Sequence, residues 1–169
     1  GKQLINLDSE DDGQVFIGCA GGIDTLAKMH YEAMRLSGDE AKEHPMMQAS
    51  SGTPLRLAMH IKVGGLMGGH SGDDINKGRG NANKILVRFL YQVMQATDMQ
   101  LATINGGNLR NAIAREAEAV IAIPMAYKED IRIMLNHYIA TIESEIGDVE
   151  KDFFMHLETT DMPATIIPA

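Results

Sequence analysis

The alternation of apolar and polar residues predicts four strands between residues 55 and 158. Leu55–Val63 alternates with period two and has a polar outer face, which indicates a strand with one buried side. Met99–Ile104 and Phe153–Glu158 are two further predicted strands. Ala117–Ile123 is a nearly continuous apolar run, which is typical of a strand in the centre of a sheet.

Two segments between these strands have the apolar spacing of helices. In Asn81–Ala96 and Lys128–Ile146, apolar residues recur every three and four positions, which places them on one helical face. The order is therefore strand, helix, strand, strand, helix, strand. Two such halves pack as a four-stranded antiparallel sheet with both helices on one face, so we predict an α+β, ferredoxin-like βαββαβ fold.

The first third of the chain has a less regular pattern. Leu4–Leu7 and Val15–Ile17 are short apolar runs on either side of an acidic turn, and we expect two strands there. Three glycines within Gly18–Gly22 suggest a flexible hinge between domains. We expect a short helix over Leu26–Leu36 and a loop over Ser37–Pro54.

Composition and charge narrow the class of protein. The hydrophobic fraction of 44% and the charged fraction of 22% are ordinary for a soluble globular domain. A net charge of −8 without a Lys/Arg cluster argues against a nucleic-acid or membrane partner, and no apolar run reaches the ~20 residues that span a bilayer. The single Cys19 excludes an internal disulfide, and we expect a cytoplasmic protein.

The segment Gly64–Gly80 carries the first candidate group, His70, which follows Gly69 and precedes Ser71 and Gly72. Glycine lets the backbone approach a ligand closely, so a histidine framed by glycines is a candidate donor to a molecule outside the domain. The spacing matches neither of the common nucleotide-binding glycine motifs. The alternative is a flexible turn with an exposed histidine, which composition alone favours.

A second candidate segment, Gly106–Glu116, lies between two predicted strands. Asn111 offers amide donors, and Arg110 and Arg115 offer guanidinium groups suited to carboxylates. The alternative is a wide hairpin connection in which asparagine tolerates left-handed geometry. Composition alone favours that alternative as well.

A third candidate is Asp8, which follows the first predicted strand. Strand ends open onto crevices, where carboxylates commonly bind metals. A metal site needs several ligands, and Asp8 with Glu10 and no matched histidine nearby does not supply them. From the residues alone this is an ordinary acidic turn.

In this order, the motifs resemble the aminoacyl-histidine dipeptidases (Xaa-His dipeptidases), which belong to the co-catalytic zinc peptidases. The resembling motifs are Leu4–Glu10, Gly18–Gly22, Gly65–Gly72, Gly80–Lys84, Gly106-Gly107, Asn111–Ile113 and Arg115-Glu116. The run Gly65–Lys84 is the most specific of them. The resemblance is weak in Leu26–Pro54 and beyond Gly147.

The resemblance implies a two-domain enzyme with two zinc ions and a homodimer that forms through its lid domains. It makes Asp8 a zinc ligand, His70 a catalytic donor that reaches the partner subunit's active site, and Asn111 a substrate-binding residue. We add Arg115 as a second residue for the dipeptide substrate. Residues 1–22 are then the remnant of the zinc domain with its hinge, and residues 23–169 are the lid and dimerisation domain.

Two departures from the family pattern qualify this interpretation. Ala114 stands where the family often has proline, which we expect to soften the local turn. The remaining zinc ligands and the general base have no match in this chain, so we expect a truncated protein that binds no zinc and hydrolyses nothing by itself.

Two other functions fit the same fold. The first is a stand-alone regulatory module that binds a small molecule, since ferredoxin-like domains often bind ligands between paired sheets. The second is a purely structural dimerisation domain whose glycine-rich segments are only turns.

Overall fold

The computed structural model describes residues 12–18, 21–35 and 55–168. The chain divides into two units, Gly1–His30 and Tyr31–Ala169. The described residues of the first unit are exposed and form no helix or strand, so the predicted strand Val15–Ile17 is wrong. The predicted strand Leu4–Leu7 lies outside the described residues, and the predicted domain boundary at residue 22 stays a prediction.

The described residues of the second unit form two helices and a set of long and short strands. In chain order they are β1 (Met34–Arg35), β2 (Arg56–Gly64), β3 (Gly69–His70), α1 (Ala82–Ala96), β4 (Gln100–Gly106), β5 (Ala112–Ile113), β6 (Ala117–Pro124), a 3-10 turn (Met125–Tyr127), α2 (Lys128–Ile146), β7 (Phe154–Thr160) and β8 (Thr165–Ile166). The predicted α+β, ferredoxin-like order is confirmed.

The four long strands form one antiparallel sheet in the order β4-β6-β2-β7. The register pairs Ile61 of β2 with Ala119 of β6 and with Leu157 of β7, so residues of the same parity share a face. The opposite face is polar at its centre, where His60 lies 3.2 Å from a carboxylate oxygen of Glu118 and of Glu158.

One hydrophobic core lies between the sheet and both helices. Its fully buried side chains include Met59, Ile61 and Ile121 from the sheet, together with Phe89 from α1 and Ile131 from α2. Both helices therefore cover the same face, as the sequence predicts. Within the described residues, neither helix is long and apolar enough to cross a membrane.

Side-chain hydrogen bonds define the start of α1 and join the two helices. Asn81 is the N-cap residue rather than the first helical residue, and its side chain accepts a hydrogen bond of 3.2 Å from the Lys84 amide. The Tyr138 hydroxyl of α2 donates to the Ile85 carbonyl of α1 at 2.8 Å. Burial raises the pKa of Tyr138 to about 12.

Two small ribbons complete the described part of the second unit. β1 pairs with β8, and β3 pairs with β5. β1 falls within Leu26–Leu36, where a helix is predicted. That prediction is wrong for the described positions, because residues 26–33 have no regular structure and Met34–Arg35 is a strand.

Candidate functional site

Residues 65–80, which lie between β2 and the N-cap of α1, are called here the glycine-rich segment. At its centre is β3, which pairs with β5 of the second candidate segment so that His70 lies opposite Ala112. The Ser71 amide extends this pairing by donating to the Asn111 carbonyl at 2.9 Å. The fold therefore brings together His70 and the loop of Asn111, which are far apart in the sequence.

Two glycines in this segment are required by close contacts. Gly68 has a φ of +66°, and a Cβ atom there would lie 2.2 Å from Cγ of Arg115. Gly69 has a φ of +138°, and a Cβ atom there would meet the side chains of Asp74 and Arg79. Glycine thus allows the Arg115 side chain to pack directly on the backbone next to His70.

The His70 ring is half exposed, with 52% of its side-chain surface accessible. Its Nδ1 accepts hydrogen bonds from the amides of Gly72 at 3.1 Å and Asp73 at 3.3 Å. A neutral imidazole that accepts at Nδ1 carries its proton on Nε2. The turn therefore selects the tautomer in which Nε2–H is available as a donor.

Asp74 organises the turn that holds His70. Its Oδ2 accepts a hydrogen bond of 2.7 Å from the His70 amide, and its Oδ1 accepts one of 2.7 Å from Lys77 Nζ. The hydrogen bond from Lys77, followed by the one from the His70 amide, lowers the pKa of Asp74 below its ordinary value. Arg79 lies 3.2 Å from Oδ1 and also donates to the Gly68 carbonyl at 2.5 Å. The ionised carboxylate thus fixes the backbone on both sides of His70.

Asn111 and Arg115 are exposed and flank β5. Asn111 contacts the glycine-rich segment through its carbonyl, and Arg115 contacts it through the methylene groups beside Gly68. An amide, a guanidinium group and an imidazole are therefore presented by one two-stranded ribbon. Their assignment to substrate stays a prediction.

The metal predictions concern a different part of the chain. Asp8 lies outside the described residues, so its role as a zinc ligand stays a prediction. Among residues 12–18, 21–35 and 55–168, no group of three or more His, Cys, Asp or Glu side chains is arranged to hold a metal ion. The described residues therefore do not fit a resident zinc pair.

Comparison with known proteins establishes the family. Residues 61–150 match the family model of the peptidase dimerisation domain, and this match covers more than half of the chain. The chain belongs to the peptidase dimerisation domain family. The matched region begins within β2, contains the whole of α1, β4, β6 and α2, and includes the glycine-rich segment.

Relatives of this dimerisation domain are dipeptidases. This chain is 37% identical over 157 residues to the cytosol non-specific dipeptidase of Escherichia coli (strain K12). The match covers 92% of this chain and 29% of the relative. The chain also resembles the crystal structure of aminoacylhistidine dipeptidase from Vibrio alginolyticus with a TM-score of 0.66 at 33% identity, covering 82% of this chain and 25% of that one.

A more distant structure shares the fold alone. An amidase of the hydantoinase/carbamoylase family from Burkholderia multivorans matches with a TM-score of 0.51 at 15% identity, covering 66% of this chain and 28% of that one. The chain thus spans less than a third of the length of each of these three proteins.

Two residues of the site escaped the sequence analysis. Asp74 is four residues after His70, and its spacing from Lys77 and Arg79 is a local signal from which the turn could have been inferred. Glu150 is buried and accepts hydrogen bonds from two amides of the glycine-rich segment. No local pattern reveals it, because its partners are 83 and 70 residues away in the sequence.

Proposed function

We propose that this chain is the lid and dimerisation domain of a longer zinc-dependent dipeptidase, called here the parent protein. The parent would hydrolyse Xaa-His and similar dipeptides: the names of the E. coli and Vibrio relatives both support dipeptides as substrates, and the name of the Vibrio relative supports Xaa-His among them. The observation that carries the proposal is the selected Nε2–H donor of His70, which lies on the same ribbon as Asn111 and Arg115. The name of the E. coli relative places that protein in the cytosol, and we propose that the parent protein is cytoplasmic as well.

The proposed task of His70 follows from the chemistry of peptide hydrolysis. Attack on the scissile carbonyl puts negative charge on its oxygen, and a preorganised donor stabilises that charge more than it stabilises the substrate. The His70 ring is suited to this task because its tautomer is selected by the Gly72 and Asp73 amides. Removing one such donor commonly lowers kcat by about 10²–10³-fold.

Asn111 and Arg115 would bind the rest of the dipeptide. A dipeptide carries a carboxylate, and the planar guanidinium of Arg115 can donate two parallel hydrogen bonds to it. The Asn111 amide can donate to a carbonyl and accept from an amide. Because both residues flank the strand paired with β3, substrate contacts at these groups would also align His70.

We assign the two zinc ions to the parent protein, with Asp8 as one ligand. The zinc ions would polarise the carbonyl and activate water. The described residues of this chain contribute the donor and the substrate contacts instead.

We propose that two copies associate through α1 and the adjoining edge of the sheet. α1 exposes Val87 by 52% and Tyr91 by 61%, and these residues line an open groove of about 530 Å³ with Asn83, Lys84 and Arg88. Large exposed apolar side chains that adjoin one another commonly mark an interface. The family's description as a dimerisation domain favours a second copy as the occupant.

The edge strand β4 limits where the two sheets could join. The Ile167 amide donates to the Leu101 carbonyl at 2.7 Å, so this chain's own C-terminal segment occupies the start of that edge. Residues 103–106 are exposed. Antiparallel pairing of these residues with the same residues of a second copy would satisfy the two-fold symmetry of a homodimer.

Subunit mixing tests the proposal that His70 acts in the partner's active site. The parent variant Asp8→Ala is expected to be inactive, and His70→Ala is expected to have about 10²–10³-fold less activity than wild type. In a mixed dimer, the subunit with His70→Ala keeps Asp8 and receives an intact His70 from its partner. Random exchange makes about half of the dimers mixed with one complete site each, so activity should return to roughly a quarter of wild type.

Two controls make the mixing experiment decisive. Asp8→Ala subunits mixed with themselves should regain nothing, and mass spectrometry of differently labelled subunits should show that exchange occurred. If exchange is complete and activity does not return, His70 does not act across the dimer. If Asp8→Ala alone stays active with two bound zinc ions, the metal assignment is wrong.

A further inference from the structure

Glu150 is a buried carboxylate to which the proposed function assigns no role. It lies beyond the end of α2 and is 3% exposed. Burial of a charged side chain costs free energy unless polar partners compensate for the lost water. The partners of Glu150 therefore indicate what the carboxylate does in this position.

The two oxygens of Glu150 bind the two ends of the glycine-rich segment. Oε2 accepts a hydrogen bond of 2.8 Å from the Met67 amide, and Oε1 accepts one of 2.7 Å from the Gly80 amide. His70 and its turn lie between these amides in the sequence. One side chain from the second half of the fold thus closes the base of a segment that belongs to the first half.

This contact differs from the one that Asp74 makes. Asp74 binds groups within five residues of itself and shapes the turn at the tip of the segment. Glu150 binds amides 83 and 70 residues away and so attaches the segment to the rest of the domain. The pair of hydrogen bonds that Glu150 accepts is called here the clamp. Leu66, next to Met67, is 3% exposed and belongs to the hydrophobic core, so packing also holds the base of the segment.

We propose that Glu150 is a positioning residue for His70. Its carboxylate fixes both ends of the glycine-rich segment and so determines where the domain presents the Nε2–H donor. Glu150 does not contact substrate in this role. The catalytic meaning of the inference rests on the proposed function, whereas the clamp itself can be measured without any enzymatic activity.

The first test uses the unaltered chain. Amide hydrogen exchange resolved by NMR should show Met67 and Gly80 among the most protected amides of residues 65–80, since each is bound to a buried carboxylate. Rapid exchange at both amides, equal to that of exposed amides in the turn, would overturn the proposal even if no variant folds.

The second test compares Glu150→Gln with the matched variant Glu143→Gln, an exposed residue of α2. Glutamine keeps the shape but presents one NH2 group to an amide that needs an acceptor, so one hydrogen bond is lost. Exchange of the Met67 or Gly80 amide should accelerate on the order of 10-fold, while amides of β2 and β6 change little. The ¹⁵N shifts of the His70 ring should also move towards a mixture of tautomers. Glu143→Gln should leave all of these unchanged.

Other outcomes of that comparison count against the proposal. Equal acceleration across the whole sheet would mean that Glu150 only contributes to overall stability. An unchanged glycine-rich segment and an unchanged His70 ring in Glu150→Gln would mean that the carboxylate positions nothing.

Kinetics of the parent protein test the catalytic consequence separately. Glu150→Gln should lower kcat by about 10-fold and change KM by less than about 2-fold. The reason is that a misplaced donor stabilises the transition state less, while binding of the substrate changes little. A fall in kcat equal to that in Glu143→Gln would overturn the positioning role. If Glu150→Gln loosens the glycine-rich segment but His70→Ala has full activity, the proposed function is wrong, whereas the structural role of Glu150 is still supported.

Discussion

The two βαβ halves of this domain share one topology but differ in how they connect the first strand to the helix. In the first half, residues 65–81 separate β2 from α1 and carry His70. In the second half, only the turn Met125–Tyr127 separates β6 from α2. A three-residue turn is enough to join strand to helix in the second half, and we propose that the longer connection of the first half also serves to present His70.

The helices of the two halves also differ, in the number of large apolar side chains that they expose. α1 exposes Val87, Tyr91 and Met94, whereas Ile133 is the large apolar side chain that α2 exposes. α1 also buries six residues and the longer α2 buries four. The first half therefore carries His70 and the more exposed helix, and the second half supports it, most directly through the hydrogen bonds of Glu150.

The largest expected effect distinguishes histidines of the two halves. His70→Ala in the parent protein should lower kcat by about 10²–10³-fold, because a preorganised donor is lost from the transition state. His137→Ala, on the exposed side of α2, should leave kcat unchanged. Steady-state kinetics of both variants measure this, and equal effects would remove the functional distinction between the halves.

The next effect concerns assembly. Tyr91→Asp places a charge in the apolar groove of α1 and should raise the dimer Kd by about 10-fold or more, since central aromatic residues dominate many interfaces. Ile133→Asp makes the matched change on α2 and should leave the Kd near that of the unaltered chain. Sedimentation equilibrium gives both constants. A larger effect from α2 would place the interface on the other helix.

A smaller effect tests how the helices are joined. Tyr138→Phe removes the hydrogen bond to the Ile85 carbonyl and should lower the free energy of unfolding by about 1 kcal/mol. The exposed Tyr127→Phe is the control, and urea denaturation is the measurement. Because folding raises the pKa of Tyr138 to about 12, its stabilising contribution is complete below pH 10. That contribution should be lost between about pH 10 and 12, because the unfolded chain releases this proton first. The Phe variant should lack this part of the alkaline loss.

The smallest expected effect is confined to the turn around His70. The pKa of Asp74 is lowered from 3.8 in the folded chain, so its contribution is present above that value and is lost as the pH falls through the folded pKa. The His70 amide resonance should therefore titrate with a midpoint below 3.8. Asp74→Asn should abolish this titration, and Asp148→Asn should not. A midpoint at or above 3.8 would contradict the contacts assigned to Asp74.

Apolar positions that repeat over a whole element predicted the fold well. The alternation through Met59, Ile61 and Val63 and the stripe through Ile85 and Phe89 are all buried as expected. Such patterns are reliable because each element must bury one face, and the spacing of apolar residues specifies which face.

Short apolar runs gave the wrong predictions. Leu26 and Met29 have helical spacing, yet they are 80% and 88% exposed and lie in no helix. Val15–Ile17 has strand-like residues but forms no strand. A short helix is marginal without tertiary packing, and a strand is defined only by a partner, so local composition is insufficient for both.

By itself the sequence determined the order of elements, the buried faces and the family motifs around His70 and Asn111. The tertiary structure alone decided that β3 pairs with β5, that Arg115 packs on Gly68, and that Glu150 binds the Met67 and Gly80 amides. The physical reason is the range of the interactions. Burial of an apolar face leaves a periodic signal along the chain, whereas a hydrogen bond between distant residues leaves none until the fold brings donor and acceptor together.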